Sequence, residues 1–238
     1  MRFLKLGKNK KRISVFVLFF LGLLFVIFMT GSSKQEEKKL QRQQEKLLEL
    51  KGEIQKNPDM AAWLTIPETT ITYPVMQRME DENYYLHRDF YGRKNENGTL
   101  ILSNGCDITK ENTIWIIHGH NMSSGAMFGS LQEYRNPDFR QEHSLIYLEV
   151  EDEIRTYLVM GVFESQVYYE KDEVFKFYQC YEIENREDFE YFYQNIQDMF
   201  LYDTGIDAVY GDSFLLLSTC SYHTENGRFV VAAKQVYL

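Results

Sequence analysis

The feature that most constrains the fold is a succession of short apolar runs that begins after Asn57-Pro58. Proline disfavours the helical conformation of the residue before it, so a preceding helix is expected to end here. The runs are rich in β-branched and aromatic residues and are separated by turn residues, which is typical of strands. They are TITYPVMQ, GTLILS, NTIWIIHG, SLIYLEV, RTYLVMGVFES, DSFLLLSTCSY and RFVVAAKQVYL. Seven or more short strands in about 180 residues predict a β-barrel or a β-sandwich, with a hairpin turn at residues 151–153.

One segment between the last strands has a different period. Residues 185–200, NREDFEYFYQNIQDMF, carry acidic residues early and place apolar side chains at helical spacing. Those side chains are Phe189, Phe192, Tyr193, Ile196 and Phe200. The pattern predicts a helix inserted between late strands of a mainly β domain.

The N-terminal part of the chain predicts a membrane anchor. The 21 residues from Ile13 to Ser33 carry no charge and, as a helix, would reach roughly 31 Å, the thickness of the hydrocarbon layer. The sequence FMTGSSK that ends the run lacks a small-x-small cleavage site, so we favour an uncleaved anchor over a cleaved signal peptide. The basic residues of segment 1–12 predict a cytoplasmic tail, and segment 13–33 is the predicted transmembrane helix.

Residues 34–56 are predicted to form a helical stalk. The segment is rich in Glu, Lys, Gln and Leu, with Leu40, Leu47 and Ile54 at seven-residue spacing. Two heptads are too few to predict a coiled-coil dimer, so we interpret the segment as a single helix that leads from the membrane to the domain of residues 57–238.

The charge distribution excludes a nucleic-acid-binding surface. The formal net charge is −9, and the first twelve residues contribute +6, so the rest of the chain carries −15. A nucleic-acid-binding domain would need clustered lysine and arginine. No nucleic-acid partner is therefore expected. The six cations before the anchor are expected to put the N-terminus in the cytoplasm and so the acidic body outside the cell.

Cys220 lies where an apolar strand ends, in LSTCSYHTENGRFVV, and Arg228 begins the next strand. If the two strands pair as a hairpin, the guanidinium lies near the thiol, where it would favour the nucleophilic thiolate and stabilise an oxyanion. The alternative is a buried, inert cysteine. The chain has three cysteines, so at least one is unpaired, and pairing of Cys106 with Cys180 stays open.

A thiol nucleophile needs a base, and the strand-end sequence IWIIHGH offers His118 and His120. His223 is a rival base, but it lies only three residues beyond Cys220. A metal site at HGH would need further ligands, and no cluster with suitable spacing follows, so we predict no metal and no cofactor.

These residues resemble a known family. LSTC with an arginine eight residues later resembles the active-site strand pair of sortases, the cysteine transpeptidases of Gram-positive bacterial surfaces. IWIIHGHNMSSGAMFGSL resembles the family's histidine motif, in which the second histidine is catalytic, and this selects His120. NPDMAAWLTIPETTITYPVMQ and NYYLHRDFYGRKNENGTLILS resemble the first strands of the class B branch, and the insert at 185–200 resembles its extra helix.

The resemblance implies a closed eight-stranded β-barrel with an N-terminal helical segment. It implies that Cys220 attacks the threonine carbonyl of a C-terminal sorting pentapeptide, that His120 transfers protons, and that Arg228 stabilises negative charge. Ser218 and Thr219 are candidate substrate-binding residues. The pentapeptide stays open between Asn-Pro-x-Thr-Asn-like and Ser/Pro-Pro-x-Thr-Gly-like signals.

The partners that the resemblance implies are surface proteins with a sorting signal and the amine of a lipid-linked peptidoglycan precursor. The expected location is the cell membrane, with a single pass, the N-terminus in the cytoplasm and the catalytic domain outside. Two alternatives are a membrane-anchored cysteine peptidase that only hydrolyses its substrate, as a thiol protease does, and a non-enzymatic surface binding module.

Overall fold

The computed structural model describes residues 57–107, 113–151 and 153–237. No helix in these segments is long and apolar enough to cross a membrane. The predicted tail (1–12), anchor (13–33) and stalk (34–56) lie outside the described residues.

Eight strands form a closed barrel, which decides between the two predicted β architectures. The strands are β1 (Met60–Thr65), β2 (Thr72–Met76), β3 (Leu100–Leu102), β4 (Ile114–Gly119), β5 (Leu145–Val150), β6 (Glu153–Gln166), β7 (Phe214–Cys220) and β8 (Gly227–Val236). Their order around the barrel is β1-β2-β3-β4-β7-β8-β6-β5, and β5 pairs with β1 to close it. The β2–β3 and β4–β7 pairs are parallel, and the other pairs are antiparallel.

The seven apolar runs correspond one to one to β2 through β8, so the prediction of a mainly β fold is confirmed. The predicted hairpin at 151–153 joins β5 to β6, which pair from Val150 and Glu153 onward. The sequence pattern does not predict β1, because its sequence MAAWLT contains two alanines, which have low strand propensity.

The pair β4–β7 is almost completely buried. All residues of β7 except Cys220 are buried, and β4 buries every residue except His118. A parallel pair that is covered on both sides has nearly continuous apolar sequence rather than alternation. This explains why IWII and FLLL contain no polar residue.

Among the described residues, two α-helices and three 3-10 helices accompany the barrel. The helices are α1 (Pro137–Glu142) and α2 (Arg186–Asp198), and the 3-10 turns are Tyr84–His87, Gly129–Arg135 and Phe177–Gln179. Helix α2 is the predicted insert between β6 and β7. Asn185 caps it by accepting a hydrogen bond from the backbone N–H of Asp188 at 3.0 Å.

The buried face of α2 packs against the first residue of β7. The rings of Phe192 and Phe214 meet edge to face with centroids 5.1 Å apart, and Phe189 stacks on Phe214 at 6.4 Å. The helix therefore covers the barrel where β7 begins, away from the end that carries Cys220.

We expect Phe192→Ala to lower the free energy of unfolding by about 3–5 kcal/mol, because it removes a buried ring and leaves a cavity. Urea denaturation followed by circular dichroism measures this change. Glu190→Ala, at an exposed position of the same helix, is the control and is expected to change stability by less than about 0.5 kcal/mol. Equal effects of the two variants would contradict the packing described for α2.

Candidate active site

The barrel topology places the ends of three strands next to one another. Because β4 and β7 are parallel, with Gly119 opposite Thr219, both strands end at the same edge of the sheet. His120 follows β4 directly, and Cys220 is the last residue of β7. Strand β8 runs antiparallel to β7 and places Arg228 directly opposite Cys220. Residues 100 and more positions apart in the sequence therefore meet at one end of the barrel.

A cleft of about 350 Å³ lies at this end of the barrel, and His120, Cys220 and Arg228 all line it. Its apolar lining includes Leu86, Ile101, Val167, Phe177 and Tyr178. Its polar lining includes Glu82, Asn83, Ser103, His118 and Ser218. A cleft lined by both apolar and polar side chains can hold a ligand that presents both kinds of group.

Two side-chain hydrogen bonds join the end of β7 to the end of β4 and the residues that follow it. The Thr219 hydroxyl donates to the carbonyl of Gly119 at 2.7 Å, and Asn121 Nδ2 donates to the carbonyl of Cys220 at 2.8 Å. The first bond occupies the hydroxyl of Thr219, which is only 2% exposed, so this side chain fixes the strand pair. The second fixes the peptide group of Cys220 itself.

Ser218 differs from Thr219 in its surroundings. It is 1% exposed, lies on the same strand face as Cys220, and lines the cleft. Its Oγ is buried and has no hydrogen-bond partner among the described residues. A buried hydroxyl without a partner is costly, so a polar group of a bound peptide would gain from contact with it.

The hydrogen bond of His120 determines which ring nitrogen is free. His120 Nε2 lies 2.7 Å from the carbonyl oxygen of Leu86. A carbonyl only accepts hydrogen bonds, so Nε2 carries the proton and Nδ1 of the neutral ring is free to take one. The ring also lies beside His87, with centroids 5.2 Å apart.

The Leu86 carbonyl is held by the local backbone. The N–H of Leu86 donates to Asn83 within the 3-10 turn Tyr84–His87. Gly98 packs against this turn with φ of +61°, and a Cβ at this position would overlap the Leu86 carbonyl. Glycine is thus required here both for the left-handed backbone and for the close approach.

His118 has a different environment from His120. The pKa of His118 is lowered to about 4, chiefly because burial disfavours the charged ring; the charge of Glu82 opposes this effect and the positive charge of Arg228 adds to it. His118 is therefore neutral near pH 7 and cannot supply a proton there.

The three cysteines also differ. All are free thiols, so the possible pairing of Cys106 with Cys180 is not formed. Desolvation raises the pKa of Cys106 to about 12 and that of Cys180 to about 11, so both stay protonated. Cys220 is the exposed cysteine and the one that lines the cleft.

Arg228 is free to interact with a ligand. Its Nη1 donates to the carbonyls of Asn226 and Gly227, at 3.3 and 3.0 Å, which orient the side chain. In the part of the chain that the structure describes, no carboxylate forms an ion pair with it. The described residues also contain no cluster of three His, Cys, Asp or Glu that could hold a metal ion.

Sequence reasoning missed the residues that come from the segment between β2 and β3. Glu82 accepts hydrogen bonds from Ser103 Oγ at 2.8 Å and from the N–H of Asn104 at 3.1 Å, and it lies in the cleft wall with Leu86. The available signal was the aromatic run NYYLHRDFYG, which is unusually apolar for a loop.

The sequence profile described as the sortase domain matches residues 64–236. Sortase B of Listeria monocytogenes is 33% identical over 184 residues, which cover 76% of this chain and 71% of that protein. Sortase B of Staphylococcus aureus is 25% identical over 180 residues, covering 75% and 70%. The crystal structure of sortase B from Bacillus anthracis in complex with AAEK1 superimposes with a TM-score of 0.67 at 30% identity, covering 79% of this chain and 84% of that one.

The family profile covers most of the chain, and the relatives found by sequence and by structure are sortases B. The chain therefore belongs to the sortase family of cysteine transpeptidases and, within it, to class B.

Proposed function

We propose that Cys220, His120 and Arg228 together cleave a C-terminal sorting pentapeptide after threonine and transfer the threonine acyl group to the amine of a peptidoglycan precursor. The observation that carries this assignment is the parallel pairing of β4 with β7, which brings His120 and Cys220 to one cleft, to which the pairing of β7 with β8 adds Arg228. A nucleophile, a base and an oxyanion-stabilising cation at one site are the parts that acyl transfer requires.

In the first half-reaction, Cys220 Sγ attacks the threonine carbonyl carbon. The thiol proton passes to His120 Nδ1, and the resulting imidazolium returns that proton to the leaving amine as the peptide C–N bond breaks. The product is a thioester between Cys220 and the threonine carbonyl. The hydrogen bond from Nε2–H to the Leu86 carbonyl keeps the ring oriented and stabilises its positive charge, as a carboxylate or amide does in other Cys-His sites.

In the second half-reaction, an incoming amine attacks the thioester carbonyl. His120 Nδ1 removes a proton from the amine, the C–S bond breaks, and the Cys220 thiolate regains the proton. Water could serve as the nucleophile in the same way, and the product would then be the free acid. The two outcomes are distinguished by the products.

Arg228 is proposed to contact the carbonyl oxygen on which negative charge develops. It lies directly opposite Cys220, and its guanidinium is not neutralised by a carboxylate of the described residues. A fixed cation lowers the barrier because it interacts more strongly with the tetrahedral oxyanion than with the neutral carbonyl.

Ser218 is proposed to bind the peptide directly, and Thr219 to act through the backbone. The support for Ser218 is that the residue lines the cleft and that its buried hydroxyl has no hydrogen-bond partner among the described residues. The support for the role of Thr219 is its hydrogen bond to Gly119, which keeps Cys220 beside the end of β4.

Segment 13–33 is proposed to anchor the protein in the cell membrane with residues 1–12 in the cytoplasm. The uncharged run and the basic residues before it support this topology. It would present the cleft to secreted proteins that carry a sorting signal and to the lipid-linked precursor at the outer face of the membrane.

We expect Cys220→Ala and His120→Ala to lower kcat/KM for a quenched sorting peptide by at least about a thousandfold. Arg228→Ala should cost about a hundred- to a thousandfold, as loss of an oxyanion contact does. The assay uses the full-length chain with peptides of both signal types, with and without an added amine, and mass spectrometry identifies the products.

The matched controls are Cys180→Ala and His143→Gln, which replace the same residue types outside the cleft and should retain activity. Full cleavage by Cys220→Ala would contradict the proposal. A product that is always the free acid, even with amine in excess, would establish the hydrolase instead.

At about pH 8, iodoacetamide should alkylate Cys220 alone in the native protein. A pKa of about 12 leaves roughly one Cys106 thiol in ten thousand ionised at that pH, and Cys180 is also protonated and half-buried. Peptide mapping by mass spectrometry identifies the adduct, and labelling in urea is the control in which all three cysteines react. Labelling of native Cys106 as fast as Cys220 would contradict the distinction drawn here.

We expect the neutral ring of His120 to carry its proton on Nε2. Nitrogen-15 NMR measures this in the Cys220→Ala variant, which has no thiolate near the ring. The sample is kept at a pH about two units above the usual histidine pKa of about 6.5, so that the ring is neutral. His143 is the internal control, because its Nδ1 lies 3.1 Å from the carbonyl of Pro67 and it should show the opposite tautomer. A proton on Nδ1 of His120 would refute the proposed use of that atom as the base.

A further inference from the structure

A cluster of polar side chains lies behind the end of β7, outside the cleft. It centres on Glu164 of β6, whose Oε1 accepts a hydrogen bond from Arg135 Nη2 at 2.5 Å. The same oxygen lies 3.3 Å from Ser221 Oγ and 3.2 Å from His223 Nδ1. His223 Nδ1 is also 2.9 Å from Ser221 Oγ. One carboxylate oxygen thus joins β6, the 3-10 turn Gly129–Arg135 and the loop between β7 and β8.

The cluster contacts the residue that follows each of two proposed catalytic positions. Ser221 follows Cys220 and is 6% exposed. Phe229 follows Arg228, is fully buried, and lies under the guanidinium of Arg135 at 4.7 Å from its ring centroid. The N–H of Ser221 donates to the carbonyl of Gly227 at 2.9 Å, so the two strand ends are also joined to each other. Displacement of this cluster would therefore move both strand ends.

The chain at Cys220 and Ser221 is held from two sides. On the β4 side, Asn121 Nδ2 donates to the Cys220 carbonyl. On the β6 side, Glu164 holds the Ser221 side chain. The loop from Ser221 to Asn226 has a second side-chain contact with β6, from Thr224 Oγ1 to Gln166 Oε1 at 3.5 Å, but the contact of Glu164 is the one made with the residue next to Cys220.

The charge of Glu164 is maintained by its partners. The hydrogen bond from Arg135 lowers the pKa of its carboxyl, and the charges of Arg135 and His223 and the Ser221 hydroxyl act in the same direction against desolvation. Its side chain is 25% exposed and that of Arg135 is 40% exposed. A half-exposed ion pair contributes little to global stability. The main effect of the Glu164 carboxylate is therefore local: one of its oxygens holds several donor groups in a fixed geometry.

We propose that Glu164 is a positioning residue for the transfer reaction: through Ser221 and Arg135 it fixes the strand ends that carry Cys220 and Arg228. This inference rests on the proposed function of those two residues. Glu164 does not line the cleft, so it acts on the reacting atoms only through its neighbours. Small displacements of a catalytic group suffice to slow a reaction strongly.

The test measures kcat and KM for sorting-peptide cleavage by the full-length chain carrying Glu164→Ala. We expect kcat to fall roughly ten- to a hundredfold with KM unchanged within about twofold, because the cleft contacts remain while the nucleophile is displaced. Glu164→Gln keeps the shape and one acceptor oxygen, and it should recover part of the lost rate. The control is Glu153→Ala, which removes the other Glu–Arg pair of β6, formed with Arg155, and should leave kcat unchanged.

A double-mutant cycle distinguishes positioning from a purely structural role. If Glu164 acts through Ser221, then adding Glu164→Ala to the Ser221→Ala variant should lower kcat much less than adding Glu164→Ala to the wild type does. Thermal melting of each variant should show a decrease of only a few degrees, similar to that of Glu153→Ala. Ser221→Ala and Glu164→Gln keep the test decisive if Glu164→Ala does not fold.

Three results would overturn the inference: a kcat of Glu164→Ala within about twofold of wild type, a rise in KM with unchanged kcat, or full additivity with Ser221→Ala. Failure of the proposed function itself is recognised separately, because Cys220→Ala would then cleave the peptide as the wild type does.

Discussion

The parallel pairing of β4 with β7 is the constraint on which the rest of the site depends. It aligns two strands that are about 100 residues apart and ends them at the same edge, with His118 opposite Ser218 and Gly119 opposite Thr219. The hairpin of β7 with β8 then adds Arg228 from the other side. Each of the three side chains lies at or just beyond the end of a buried strand, which fixes its backbone, and Cys220 is exposed while His120 and Arg228 are partly buried. The barrel therefore supplies rigidity, and the strand ends carry the proposed catalytic side chains.

The sequence predicted the local parts of this arrangement better than the distant ones. The apolar runs predicted seven of the eight strands. They could do so because a buried strand has either alternating apolar residues or a continuous apolar stretch. Cys220 and Arg228 could be paired from their short separation. The adjacency of His120 to Cys220 could not, because nothing local encodes which distant strand lies beside β7. Only the resemblance to a family predicted this adjacency. The structure gives its physical reason, which is the parallel pairing of β4 with β7.

The two histidines illustrate what environment adds to residue type. His118 and His120 have the same side chain and share a strand face, and the sequence pattern alone left both open as bases. Desolvation keeps His118 neutral, whereas His120 lies at the strand end with Nε2 bonded to a backbone carbonyl and Nδ1 available. Leu86 and Glu164, which we propose to position the reacting residues, belong to no recognisable motif, because a backbone carbonyl and a surface carboxylate have no distinctive sequence pattern.

The measurement that tests the central claim most directly is the intact mass of the enzyme quenched during turnover of a sorting peptide. The account predicts an adduct of the peptide acyl group, mapped to Cys220, whose amount decreases as a competing amine is added. It also predicts that His120→Ala forms the adduct slowly. An adduct on another residue, or turnover without any covalent adduct under single-turnover conditions, would contradict the claim that these three strand ends form one transpeptidase site.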